Sequence, residues 1–198
     1  MKKLIITIVL LNSSMFAQTL NLDGANENYG KDGFYYEDTN DIFGNFVGTY
    51  KLDTGVTKFT ITLQKKINSS FGGAFTEDIL IGAYKFEENS VVKINTLPTL
   101  STILADGTNY PISSNVILTG NEMGCTICGV SEKHLSGTIY DPVSGATDDI
   151  FIRKIIVNGQ PAIKVFILHK QRWRYSNEPA IPSPAFPTSV DLILLKQP

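Results

Sequence analysis

From Phe43 onward, apolar side chains return at every second position, which places them on one face of an extended strand. Phe46-Val47-Gly48-Thr49-Tyr50-Lys51-Leu52 is the first such run, and Asp53-Thr54-Gly55 turns it. Val56 to Gln64 then alternates cleanly: Phe59, Ile61 and Leu63 are expected inside, and Lys58, Thr60, Thr62 and Gln64 in water. The two runs predict a hairpin. Asp78 to Phe86 follows and is apolar on both faces, with Ile79 and Ile81 opposite Leu80, Tyr84 and Phe86. Glu87-Glu88-Asn89 turns into a short strand over Ser90–Ile94. Residues 95–115 hold Pro98, Gly107 and Pro111 and are expected to be mostly loop, before a strand over Asn115–Thr119.

The later strands are the clearest. Leu135–Tyr140, Asp149–Val157 and Ala162–Tyr175 are predicted extended, and Asp141 to Gly145 turns the first into the second. Asn158-Gly159 is a two-residue hairpin signal, because both positions tolerate φ > 0. Pro161 sits near the start of the returning strand, where a missing N–H is tolerated. A stretch with Pro179, Pro182, Pro184 and Pro187 leads to a final strand over Val190–Leu195. No run has a helical period. About eight or nine strands with short antiparallel connections predict an all-β meander, barrel-like (calycin-like) or a sandwich. A barrel is favoured because closure removes exposed edges.

The first residues carry a different signal. Lys2 and Lys3 precede the apolar run Leu4–Leu11, which ends in Asn12-Ser13-Ser14-Met15-Phe16-Ala17. A charged start, a short apolar core and a small-residue end form a secretory signal peptide. The core is too short to cross a bilayer, which takes about 20 apolar residues. Cleavage after Ala17 is expected, which predicts a periplasmic or extracellular protein with no transmembrane anchor. The expected organisation is a signal over 1–17, a polar lead-in over 18–41 that becomes ordered near Phe34-Tyr35-Tyr36, and one β domain over 42–198. A domain of that size buries a core without disulfide staples. The net charge of −2 gives no global electrostatic case for a nucleic-acid partner.

Candidate chemistry is sparse. Cys125 and Cys128 are the only cysteines, within Gly124-Cys125-Thr126-Ile127-Cys128-Gly129. In an oxidising compartment the default is a local disulfide, which closes too small a loop to stabilise much. Redox chemistry would call for Cys125 at a helix N-terminus, and no βαβ pattern surrounds it. A zinc site would need two more ligands, and only His134 lies near. No metal and no cofactor is therefore expected. Asp38-Thr39-Asn40-Asp41 faintly resembles a calcium loop, but Ile42 and Phe43 stand where the loop needs Asp or Asn and Gly. A turn, or at most a weak cation site, is expected there.

Lys170-Gln171-Arg172-Trp173-Arg174-Tyr175 is the most unusual segment. At strand period Lys170, Arg172 and Arg174 share one face, and Trp173 and Tyr175 share the other. Cations beside aromatics suit an anionic glycan or carboxylate ligand; a solvated basic face that discourages edge pairing explains the same row. Nucleophilic catalysis has little support: there is no Gly-x-Ser-x-Gly, and only His134 and His169 could act as an imidazole base.

Phe43-Gly44-Asn45-Phe46-Val47-Gly48-Thr49-Tyr50 and the closing Val190-Asp191-Leu192-Ile193-Leu194-Leu195-Lys196-Gln197 resemble a family of small exported Bacteroidetes proteins, flavobacterial especially, of unknown function. Many members resembling this chain carry a lipoprotein Cys, which is missing here. The resemblance implies no activity and assigns no residue a role. Gly48-x-Tyr50 also resembles the Gly-x-Trp opening of lipocalin-like barrels, with Tyr50 where Trp would stand. The expected function is a binding or interaction module, for a small apolar ligand if the barrel is open or a glycan if Trp173 marks the site. The alternatives are a hydrolase acting on an envelope or extracellular polymer, and a structural or adhesion component.

Overall fold

The structure is a computed structural model that describes residues 18–24, 29–71, 74–169 and 183–198. Residues 1–17, expected to be a signal peptide, lie outside the described residues. Eleven strands follow one another: β1 (Gln18–Asn21), β2 (Phe34–Glu37), β3 (Gly48–Asp53), β4 (Thr57–Phe71), β5 (Phe75–Glu88), β6 (Val91–Asn95), β7 (Ile112–Thr119), β8 (Lys133–Tyr140), β9 (Thr147–Val157), β10 (Gln160–Leu168) and β11 (Asp191–Lys196). Among the described residues there is no α-helix, only short 3₁₀ turns.

Eight of these strands close into an antiparallel barrel in the order β5-β4-β3-β11-β10-β9-β8-β7, and β7 returns to β5. The closing seam is short, pairing Leu80 with Ser114, Ile81 with Ser113 and Gly82 with Ile112. β5 is the organising strand. β4 covers one of its edges, and three strands share the other in turn: β2 beside Thr76 and Glu77, β7 beside Leu80–Gly82, and β6 beside Lys85–Glu88.

Local sequence explains the hairpins. Asn158 and Gly159 have φ of 50° and 80°, the left-handed pair that a two-residue turn between β9 and β10 demands. At the β3–β4 turn, Gly55 N–H donates to Asp53 Oδ1 at 3.0 Å and Thr57 N–H to Thr54 Oγ1 at 3.0 Å. Phe59, Ile61 and Leu63 point inward and are fully buried, as their alternation predicts.

The barrel interior is filled. Tyr50, Phe59, Tyr84 and Phe86 occupy it with Ile150, Ile152, Ile163, Val165 and Ile167, each at most 2% exposed. Eight strands enclose a space that side chains can fill. The expectation of a ligand chamber inside an open barrel is corrected by this packing. One end is plugged by Phe186, which stacks on Phe59 at 6.3 Å and meets Tyr84 edge-on at 5.5 Å.

β5 is buried on both faces because residues 97–110 lie over its outer side. There Ile79 and Ile81 pack with Tyr110, Leu100 and Leu104 in a second small core. Two 3₁₀ turns, Leu97–Ser101 and Gly107–Asn109, give this cover its shape, and Gly107 N–H donates to Ser69 Oγ at 2.8 Å. The same packing explains the doubly apolar run in the sequence.

Candidate functional site

Alternation along β9 and β10 sends Ile150, Ile152, Ile163, Val165 and Ile167 inward, so Phe151, Arg153, Lys164, Phe166 and Leu168 face outward. Phe151 and Phe166 are paired across the two strands, with ring centroids 6.5 Å apart. Over them folds the loop of residues 120–132, which carries the cysteines. Its base is closed by Gly120 N–H donating to Glu132 O at 2.9 Å. Cys125 and Cys128 are joined as a disulfide with Cα atoms 5.5 Å apart.

Between loop and sheet lies a groove of about 560 Å³. Phe151, Phe166 and Leu168 form its floor, and Met123, Cys125 and Ile127 its roof. That volume is within the range of small-molecule sites. The lysine and arginine around it are already matched. Lys164 Nζ lies 2.7 Å from Asp191 Oδ2, and Arg153 forks onto Glu132, with Nη2 donating to Oε2 at 2.9 Å. The hydrogen bond from Arg153 holds the Glu132 carboxyl below the usual carboxylate range. The groove therefore offers apolar surface with both of its cationic side chains paired, and the Glu122 carboxylate, which accepts from Thr119 N–H, also lines it.

Sequence reasoning missed this surface, although a signal was present. Ile150-Phe151-Ile152 and Val165-Phe166-Ile167-Leu168 are apolar at consecutive positions, which marks a strand covered on both faces. The candidate ligand residues Lys170, Arg172, Trp173, Arg174 and Tyr175 lie outside the described residues. His169 is described, and its Nδ1 sits 2.8 Å from Asp148 Oδ1. This pair does not line the groove.

His134 takes an outward position on β8 yet is only 4% exposed, because the cysteine loop covers it. Its Nδ1 lies 3.8 Å from Cys128 Sγ. Its Nε2 is buried with no hydrogen-bond partner among the described residues. The donor atoms of Cys125, Cys128 and His134 lie within 4.8 Å of one another. The two sulfurs are bonded to each other here, so they are not thiolate donors to a metal.

A second groove of about 460 Å³ lies on the outside of β7, between Val116 and Leu118 and the lead-in residues Leu22 and Tyr29. Lys133 ties its walls, with Nζ 2.7 Å from Asp23 Oδ2 and 2.8 Å from Thr119 Oγ1.

The Asp38–Asp41 segment holds a cation, but it is the protein's own. Lys65 Nζ lies 3.1 Å from Asp38 Oδ2, 2.9 Å from Asp41 Oδ1 and 3.6 Å from Asp78 Oδ2. Asp38 also caps the following turn, accepting from Ile42 N–H and Phe43 N–H at 2.8 Å each. Burial pulls the Lys65 ammonium down, and hydrogen bonds to Asp41 and Asp38 outweigh it, so its pKa lies above the ordinary value.

No helix among the described residues is long and apolar enough to cross a membrane. Comparison with curated proteins finds no match, and comparison with solved structures finds none. The family model described as "Family of unknown function (DUF6705)" matches residues 1–196, and the chain belongs to that family.

Proposed function

We propose that this protein is an exported binding module whose external groove, beneath the cysteine loop, takes a small apolar ligand. The observation that carries it is the floor of Phe151, Phe166 and Leu168 facing Met123 and Ile127 across about 560 Å³. Pairing of Arg153 with Glu132 and Lys164 with Asp191 favours a ligand with little net charge. An anionic ligand would have to break one of these pairs to gain a partner, and the Glu122 carboxylate also lines the groove. Export is supported by the charged start, apolar core and small-residue end of residues 1–17.

The test is calorimetric titration of the processed chain with a panel of medium-chain fatty acids, alcohols and esters. Neutral members should bind best, with a negative heat-capacity change from buried apolar surface. Phe166→Ser should weaken binding about tenfold or more, since losing a buried aromatic contact is worth about 1.5–3 kcal/mol. Val143→Ser, at an exposed site elsewhere, should leave binding unchanged. No heat from any member, or equal affinity in Phe166→Ser, overturns the groove as the site. Intact mass of exported material should lack residues 1–17, and a mass that retains them overturns export with signal removal.

A further inference from the structure

We propose that the Cys125–Cys128 disulfide is a redox site that exchanges with dithiol substrates, with His134 holding the leaving sulfur. The two cysteines are placed differently. Cys125 lines the groove, so a substrate thiol there meets its sulfur. Cys128 is turned toward the sheet, with Sγ 3.8 Å from His134 Nδ1. A histidine serving only to pack has no reason to be buried with Nε2 unpartnered, because an unsatisfied buried polar atom is a cost. Glu132, which interacts electrostatically with His134, and Arg153, opposite His134 on β9, are spent on each other.

The exchange balances as follows. One thiolate of the substrate dithiol attacks Cys125 Sγ, forming a substrate–Cys125 bond. The Cys125–Cys128 bond breaks, and its electron pair leaves on Cys128 Sγ, which accepts a hydrogen bond from His134 Nδ1–H. The second substrate thiolate then attacks the substrate sulfur of the mixed disulfide, and Cys125 leaves. The substrate is oxidised to its disulfide. Both cysteines are reduced: of the two protons lost when the substrate thiols ionise, one ends on Cys125 and the other goes to solvent, which leaves Cys128 as the thiolate facing His134. Stabilising the departing thiolate speeds exchange, since a better leaving group departs faster.

The groove enters only as the direction of approach, and dithiothreitol needs no apolar binding. Dithiothreitol therefore tests the exchange apart from ligand binding, with a chelator present to exclude metals. The oxidised full chain should react at pH 7 about tenfold or more faster than a disulfide-bonded peptide of residues 124–129. His134→Gln should remove most of that advantage. Should His134→Gln fail to fold, thiolate absorbance at 240 nm decides. At pH 7 the reduced native chain and Cys125→Ser should both show it, and Cys128→Ser should not. A native rate equal to the peptide's, or no thiolate absorbance in the reduced native chain, overturns the proposal, even if the groove binds its ligand.

Discussion

The Tyr29 hydroxyl donates a 2.6 Å hydrogen bond to Glu77 Oε2, on a carboxylate only 1% exposed. Asn115 Nδ2 donates to the other oxygen at 2.9 Å. These bonds join the lead-in, β5 and β7 at one buried carboxyl. Burial pushes Glu77 up from its ordinary 4.5, and the two donors only partly offset it.

With the folded pKa above 4.5, the folded chain binds more protons than the unfolded one in the window that starts near 4.5 and extends upward. The stability from this group is full below that window and is lost as pH rises through it. Glu77→Gln keeps an acceptor for one donor and removes the titration. In urea melts, the variant should gain on the native chain as pH rises from 4 to 7. Parallel stability curves over that range would refute the assignment.

Lys65→Met should cost about 3–5 kcal/mol, because it leaves buried carboxylates without their counter-charge. Asp38 and Asp78 are 3% and 1% exposed and both face Lys65 Nζ. Asp41 has a side chain 72% exposed, so Asp41→Asn should cost less than about 1 kcal/mol. Denaturant unfolding of the two variants checks the contrast. Equal losses would mean that burial does not decide the energetics of this cluster.

The strands were legible where one face is wet. Phe59, Ile61 and Leu63 alternate with Lys58, Thr60 and Thr62, and Asn158-Gly159 marks its turn by backbone chemistry alone. Barrel closure was not legible, since it rests on β7 pairing with only three residues of β5 across a long separation. Residues 97–110 look like loop because their apolar residues, Leu100, Leu104 and Tyr110, follow no strand period, yet they cover Ile79 and Ile81. The groove was hidden for a related reason. Phe151 and Phe166 read as core until the topology shows that the core is already on the other face. In the sequence His134 stands out as the histidine nearest the cysteines and as one of two possible imidazole bases, but its burial depends on a loop fold that spacing does not determine.

Replacing both cysteines with Ser should lower stability by no more than about 2 kcal/mol. The bridge closes a loop with a sequence separation of 3, and loop-closure entropy grows with loop length. Thermal melts of the double variant in non-reducing buffer measure it. A loss above about 4 kcal/mol would mean that the loop's position over the sheet, and not chain entropy, depends on the bridge.

Gly137→Ala should be costly although glycine in a strand is ordinarily a weak point. A Cβ there would lie 2.2 Å from Ser113 O and 2.7 Å from Ser114 Cβ. The β7–β8 pairing is irregular between Ser113 and Val116, where β7 presses onto β8. Backbone must shift to admit the methyl, so a loss of about 1–3 kcal/mol is expected. An unchanged midpoint in urea would show that β7 can move freely.

Phe186 holds the barrel end, and its truncation should be felt throughout the core. The segment before it is pinned by Ala185 N–H donating to Asp141 Oδ2 at 2.9 Å, so the ring's position does not depend on its own packing alone. Ring contacts with Phe59 and Tyr84 then seal the interior, where burial pushes the Tyr84 hydroxyl pKa up. Phe186→Ala should cost about 3–5 kcal/mol, and Phe186→Leu clearly less, because part of the plug volume remains. Hydrogen exchange separates a plug from a surface patch. If Phe186 is a plug, amides of β4 and β5 around Phe59 and Tyr84 should lose protection in Phe186→Ala along with global stability. Faster exchange confined to residues 183–190, with unchanged protection at Phe59 and Tyr84, would show that the barrel closes without it.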